Sequence, residues 1–259
     1  MLMLKIVITL LVVISLSLVA ERLSARWAGL LAGYPLGIAI VLYFLAVEQG
    51  VEFAAQAAQY AVGGLAANVI MALIYWQLAK QARWNNVVSV VLASTAGILA
   101  FLLVSYVLHQ LSMPFLVSVL VTFVVIMLAA WRMAGVPKLV TQHKAQASWL
   151  DLLFRGALAS ISVLLITGLA ALVGPEWAGL LAGFPVAAFP LFLILHYHYG
   201  ASLLTYSIKA YPLGLVSLVI YTIVVSFAYP WLGIVWGTLA GFALSTVYLL
   251  LVQQARNIT

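Results

Sequence analysis

The stretches WAGLLAGYP (27–35) and WAGLLAGFP (177–185) differ at one letter, Tyr34 against Phe184. They lie 150 positions apart, and the register extends outward from them. Lys5 falls on Arg155, Ala20 on Ala170, and Gly64-Leu65 on Gly214-Leu215. A fourth segment matches at a slightly shorter offset, through Ala96-Gly97 and Ala240-Gly241. Flanking matches in a single register predict a duplicated unit rather than a chance recurrence of common residues.

The solvent of this unit follows from composition. Hydrophobic residues make up 67% of the chain and charged residues 6%. A water-soluble domain carries roughly a quarter charged residues. A surface this apolar is wetted by lipid, so the lipid bilayer is the expected partner. There is no cysteine, which excludes disulfides, thiolate metal sites and cysteine nucleophiles. The net charge of +6 does not point to nucleic acid, because basic residues collect on the cytoplasmic side of membrane proteins.

About 20 apolar residues cross the hydrocarbon core as a helix. Nine stretches meet that length, at roughly 4–20, 27–47, 57–79, 87–108, 114–133, 153–173, 177–197, 205–228 and 231–253. None alternates with a period of two, which argues against a lipid-facing β-barrel. ERLSAR (21–26), KQARWNN (80–86) and VPKLVTQHKAQASW (136–149) separate them, with tight turns expected at VGPE (173–176) and AYP (228–230). The first stretch resembles a signal peptide, but Leu18 stands where a small residue is wanted, so the span is expected to be retained.

With nine spans, successive loops alternate sides. One side receives Arg22, Arg26, Lys80, Arg83, Arg132, Lys138, Lys144, Arg155 and Arg256, and the other Lys5 alone. This bias predicts a cytoplasmic carboxyl terminus and an external amino terminus. Spans one to four correspond to spans six to nine, and the fifth links them. An odd linking helix turns the second unit upside down. Arg26 before the first nonapeptide against Glu176 before the second agrees with that inversion. The expected fold is therefore all-α and polytopic, with nine transmembrane helices in two inverted four-helix repeats. Residues 1–110 form the first repeat, 111–150 the linking helix and a cytoplasmic loop, and 151–259 the second repeat.

Inverted repeats create a two-fold axis in the membrane plane, and many transporters place their site on it. Gly29 and Gly33, with Gly179 and Gly183, form G-x-x-x-G patterns whose bare faces admit a neighbouring helix backbone. Pro35 and Pro185 follow, and each removes a backbone donor and kinks or breaks its helix. Pro190 adds a second proline in FPVAAFP (184–190). Freed carbonyls must be buried in protein or line a wet cavity. The candidate substrate-binding set is accordingly Pro35, Asn68, Pro185, Pro190 and Lys209. Asn68 also has a bland reading, as a hydrogen bond between helices, and Lys209 as a side chain reaching back to the interface. Thr95, Thr222 and Ser245 are expected to bond their own helix backbones.

All five acids lie at span ends, which disfavours a cation carrier built on a midplane carboxylate. His196 and His198 point to different helix faces, so neither a metal nor any other cofactor is expected. No hydrolase, zincin or phosphate-loop motif is present, and no enzyme is expected.

AGLLAGFP in the second helix of the second half, with HY (196–197) towards that helix's end, resembles the GlpM-like family of small bacterial inner-membrane proteins. The first half keeps AGLLAGYP but has LYFLAVEQG (42–50) in place of the HY pair. The resemblance implies a fused duplicate of a small four-helix ancestor in a bacterial inner membrane, and no substrate. Two functions follow from all this. One is a transporter or channel for a small solute, anionic or lipid-linked in one version. The other is a non-transporting scaffold or lipid-organising subunit, with self-association left open.

Overall fold

A computed structural model describes residues 2–22, 34–81, 85–136 and 148–258, apart from the side chains of 16, 17, 19–22 and 256–258. Gly29 and Gly33 lie outside the described residues, as do Arg26, Arg83, Lys138 and Lys144. Among the described residues every regular element is a helix. They are α1 (Leu2–Arg22), α2 (Leu36–Gln49), α3 (Val51–Gln81), α4 (Asn86–Leu111), α5 (Phe115–Ala134), α6 (Trp149–Ala182) and α7 (Ala188–Ile258).

Five of these, α3 to α7, are long and apolar enough to cross a membrane, and the chain is a membrane-embedded helical protein. A straight helix rises 1.5 Å per residue. An unbroken α7 would therefore be about three times as long as the hydrocarbon core is thick. Glycine divides it. Gly200 (φ 68°, ψ −168°) and Gly233 (φ 72°, ψ 179°) part α7 into limbs 188–199, 201–232 and 234–258. Gly174 (φ 77°, ψ 174°) parts α6 just before Pro175. Gly50 (φ 99°, ψ 163°) makes the same turn between α2 and α3. That backbone region is accessible essentially to glycine alone. One turn was misplaced by the sequence reading. Tyr229 and Pro230 lie within helix, and the reversal falls at Gly233.

The caps are local. Asn85 accepts a hydrogen bond from the Val88 amide at 2.9 Å and starts α4. Ser148 and Asp151 form a capping box at the start of α6. Pro114 caps α5, where its missing donor is no loss.

α3 occupies the centre and packs on α2, α4, α5, α6 and α7. Its alanines and the Gly63-Gly64 pair let those neighbours come close. Of its most apolar window 72% is buried, against 22% for α4 and 17% for α5. Leu99 and Leu103 of α4 and Leu116, Leu120 and Met127 of α5 are exposed, as suits helices whose outer faces meet lipid.

α1 packs along the first limb of α6. Its buried face runs through Lys5, Thr9 and Val13, four residues apart. Residues 155, 159 and 163, each 150 further on, form the buried face opposite. Lys5 is thus not the loop charge that its position suggested. It is buried, with Nζ 2.6 Å from Glu48 Oε2 and 2.6 Å from Thr167 Oγ1.

Candidate functional site at two proline interruptions

α6 ends at Ala182 and α7 begins at Ala188, and Pro185 lies in the gap. The backbone closes a one-residue turn over it, with Val186 N donating to Phe184 O at 2.8 Å. Phe189 N then donates to Pro185 O at 2.8 Å and restarts the helix. The same two hydrogen bonds recur at Pro35, where α2 begins. Leu36 N donates to Tyr34 O at 2.8 Å, and Ala39 N to Pro35 O at 2.9 Å. Each of these four residue pairs maps onto its counterpart at the offset of 150.

The segments that follow the two prolines touch. A Cβ built on Gly37 would lie 3.2 Å from Val186 Cβ, 3.3 Å from Ala187 N and 3.7 Å from Ala187 Cβ. The aromatic residue before each proline reaches into the other half. Tyr34 stacks on Phe242 at 5.7 Å and its hydroxyl lies 2.9 Å from Thr246 Oγ1. Phe184 packs edge-on against Phe101 at 5.4 Å.

The break leaves the Gly183 carbonyl in need of a donor. Asn68, fully buried on α3, supplies it from Nδ2 at 2.8 Å. Its Oδ1 accepts from the Tyr211 hydroxyl at 2.9 Å. Asn68 therefore ties the second interruption to both α3 and the 201–232 limb. The backbone can come this near because both partners are glycine. A Cβ on Gly64 would fall 3.1 Å from Gly183 Cα and closer still to the Leu180 carbonyl oxygen. Gly179 sits on the same helix, where a Cβ would come 2.8 Å from Tyr60 Cβ.

An aromatic wall runs from the break towards the His196 end. Phe189 packs on Phe184 at 5.5 Å and on Tyr75 at 6.3 Å, and Phe192 packs on Tyr211 at 5.2 Å. It ends in a buried relay. The Tyr75 hydroxyl lies 3.0 Å from His196 Nδ1, and Ser89 Oγ lies 3.0 Å from His196 Nε2. No sequence signal marked Tyr75, Ser89 or Tyr211. Their partners stand more than 100 residues away, and each residue type is common in helices.

Of the five candidate binding residues, Pro35, Pro185 and Asn68 belong to this centre. Pro190 is the third residue of α7, within its first turn, where a proline displaces no helical hydrogen bond. It does not break the helix. Lys209 lies elsewhere, on a cleft with Lys80 and Val136. His196 and His198 part as expected. His198 Nε2 lies 3.1 Å from Asp151 Oδ1, and no group of three metal-ligating side chains occurs among the described residues. Thr222 bonds its own helix, at Leu218 O and Val219 O. Ser245 instead donates to Ser217 O on the neighbouring limb at 2.9 Å, and Thr95 is exposed. Comparison with protein-family models, with curated proteins and with solved structures found no match to this chain.

Proposed function

We propose that the chain is a transporter, carrier or channel, for a small solute. Its two inverted four-helix repeats are joined by α5, and its site lies where the two interrupted helices meet. The observation that carries this reading is the contact of Gly37 with Ala187, its own counterpart 150 residues on. In a structure with a two-fold axis, only positions at the axis touch their copies. An axis relating the two halves would then pass beside Pro35 and Pro185.

Other pairs support the repeat. Gly50 and Gly200 share one rare backbone conformation. Gly97 seats on Met71 and Tyr75, while Gly241 seats on Tyr221 and Val225, the residues 150 beyond them. Dividing α6 at Gly174 and α7 at Gly200 and Gly233, joining 175–199 across Pro185 and taking α2 as the described part of the second expected span gives nine crossings. On that path every end-to-end contact joins termini on one side. Lys5 meets Glu48, and His109 Nε2 lies 3.2 Å from Glu176 Oε2, on the outside. His198 meets Asp151 on the cytoplasmic side.

Two equivalent interruptions on such an axis can open towards either face by equivalent motions. The Gly183 carbonyl, the Asn68 amide and the Tyr211 hydroxyl are the polar groups that a solute would engage there. No residue set for bond-breaking chemistry accompanies them, and the reading is not enzymatic. The close seating of Gly37 on residues 186 and 187 also suits a rigid scaffold, so the two readings divide on whether this contact opens.

The chain has no cysteine, so one can be placed at will. Val186 is 1% exposed. In oriented membrane vesicles, Val186→Cys should react with a membrane-impermeant methanethiosulfonate applied from either face. Absence of reaction from both faces, while Gln49→Cys and Gln81→Cys label on their own sides, would leave the scaffold reading.

A further inference from the structure

Away from the interruptions, a cleft of about 370 Å³ is lined by Lys80, Val136, Ser202, Thr205, Tyr206 and Lys209, together with Ala201. Its charge is of one sign. Lys80 Nζ stands 3.5 Å from the centre of the Trp76 ring, and the Arg132 guanidinium carbon stands 5.6 Å from the same ring. Trp76 is itself held, its indole donating to Thr205 Oγ1 at 2.9 Å. Lys209 Nζ donates to the Val136 carbonyl, which brings a second ammonium to the rim.

The whole chain has five carboxylates. Glu48 is taken by Lys5, Asp151 by His198, and Glu176 by His109 and Tyr60. None of Lys80, Arg132 and Lys209 forms an ion pair with a carboxylate among the described residues. Two like charges stand against one indole ring with no acid paired to either among the described residues. The reversal at Gly200 also starts a helical limb at the cleft, so Ala201, Ser202 and Thr205 belong to its amino-terminal turns. A helix amino terminus favours negative charge.

We propose that this cleft binds a phosphate group, held by Lys80 and Lys209 with Arg132 at its edge and the Ser202 and Tyr206 hydroxyls alongside. A tetrahedral oxyanion suits the arrangement because it accepts from several donors at once. The chemistry is shared by the headgroup of an anionic phospholipid and by a free or solute-borne phosphate. The site is one-sided. Under the offset of 150, Ser202 corresponds to Glu52 and Lys209 to Gln59, so the matched positions carry an acid and no base. The proposal does not depend on transport, because binding is read without flux.

The test uses the full chain in phosphatidylcholine nanodiscs, with melting temperature as readout. In one arm inorganic phosphate replaces chloride at constant ionic strength. In the other, a quarter of the lipid is phosphatidylglycerol. A ligand that binds only the folded state raises Tm saturably, by roughly 5 °C at a hundredfold excess over Kd. The rise should vanish in K80Q/K209Q and persist in K209R. A rise in the lipid arm alone identifies a headgroup as the ligand, and a rise with phosphate alone a soluble one. K209Q and K209E, at the rim, repeat the comparison if the double variant is poorly folded. Equal Tm responses of the parent and the Lys209 variants in both arms would overturn the proposal.

Discussion

At the scale of the residue, the centre depends on what is missing from side chains. Gly64 and Gly183 let α3 approach the broken helix closely enough for Asn68 to reach the Gly183 carbonyl. Gly64→Ala places a methyl against backbone, which cannot swing aside. Overpacking of this kind costs about 1–3 kcal/mol, and backbone clash lies at the upper end. Thermal unfolding in detergent should show a clear drop in Tm. Gly168→Ala is the control, since a Cβ there meets nothing within 4 Å in a regular helix. Its Tm should hold or rise slightly, as alanine favours helix over glycine. Equal losses in both variants would mean that the close approach is not limiting. The letters marked Gly179 and Gly183, which do lie against backbone, while Gly29 and Gly33 fall outside the described residues. The partner surface was not legible, because Ala57, Tyr60 and Gly64 carry no mark that ties them to residues 115 or more positions away.

At the scale of the element, the helices are longer than their spans, and glycines decide where they turn. Composition pointed to Pro230 as a turn, yet a proline in lipid can stay within a helix when neighbours satisfy the freed carbonyl. Gly233 turns the chain instead because its φ of 72° with ψ near 180° is closed to other residues. Gly200→Ala separates geometry from crowding. Nothing lies within 4 Å of an added Cβ, but φ is 68°. The strain, about 1–3 kcal/mol, should lower Tm although the site has room. Gly50→Ala should lose a similar amount, since its φ of 99° with ψ 163° lies in the same region. A neutral Gly200→Ala measured by the same unfolding assay would refute the reversal there. The break at Pro185 was readable from sequence, and the backbone at Pro35 makes the same turn. The role of Asn68 as the donor that satisfies the break was not readable.

At the scale of the whole molecule, membrane residence was visible in letters alone. The doubled nonapeptide fixed the offset, and charge asymmetry fixed the expected orientation. The path makes a prediction for the ends. Single cysteines at Gln49 and Ser112, both exposed, should label from outside intact cells with an impermeant maleimide. A cysteine at Gln81, also exposed, should label only after permeabilisation. Labelling of Gln49→Cys and Gln81→Cys from the same face would break the alternation. What sequence could not supply was long-range pairing of polar groups. The Lys5–Glu48 pair, the Ser89–His196–Tyr75 relay and the phosphate cleft each join residues from elements far apart in the chain. Composition predicts that such groups need partners but does not choose among them.

The buried position of Lys5 also constrains the order of events during synthesis. The ammonium leaves the ribosome first, 43 residues ahead of Glu48 and 162 ahead of Thr167. A nascent chain releasing α1 into lipid at that moment would carry an unmatched charge with it. The buried ion pair therefore completes only once the second helix has delivered Glu48. The contact with Thr167 forms later still, once residue 167 has been made. An earlier helix is thus locked in place by residues made well after it.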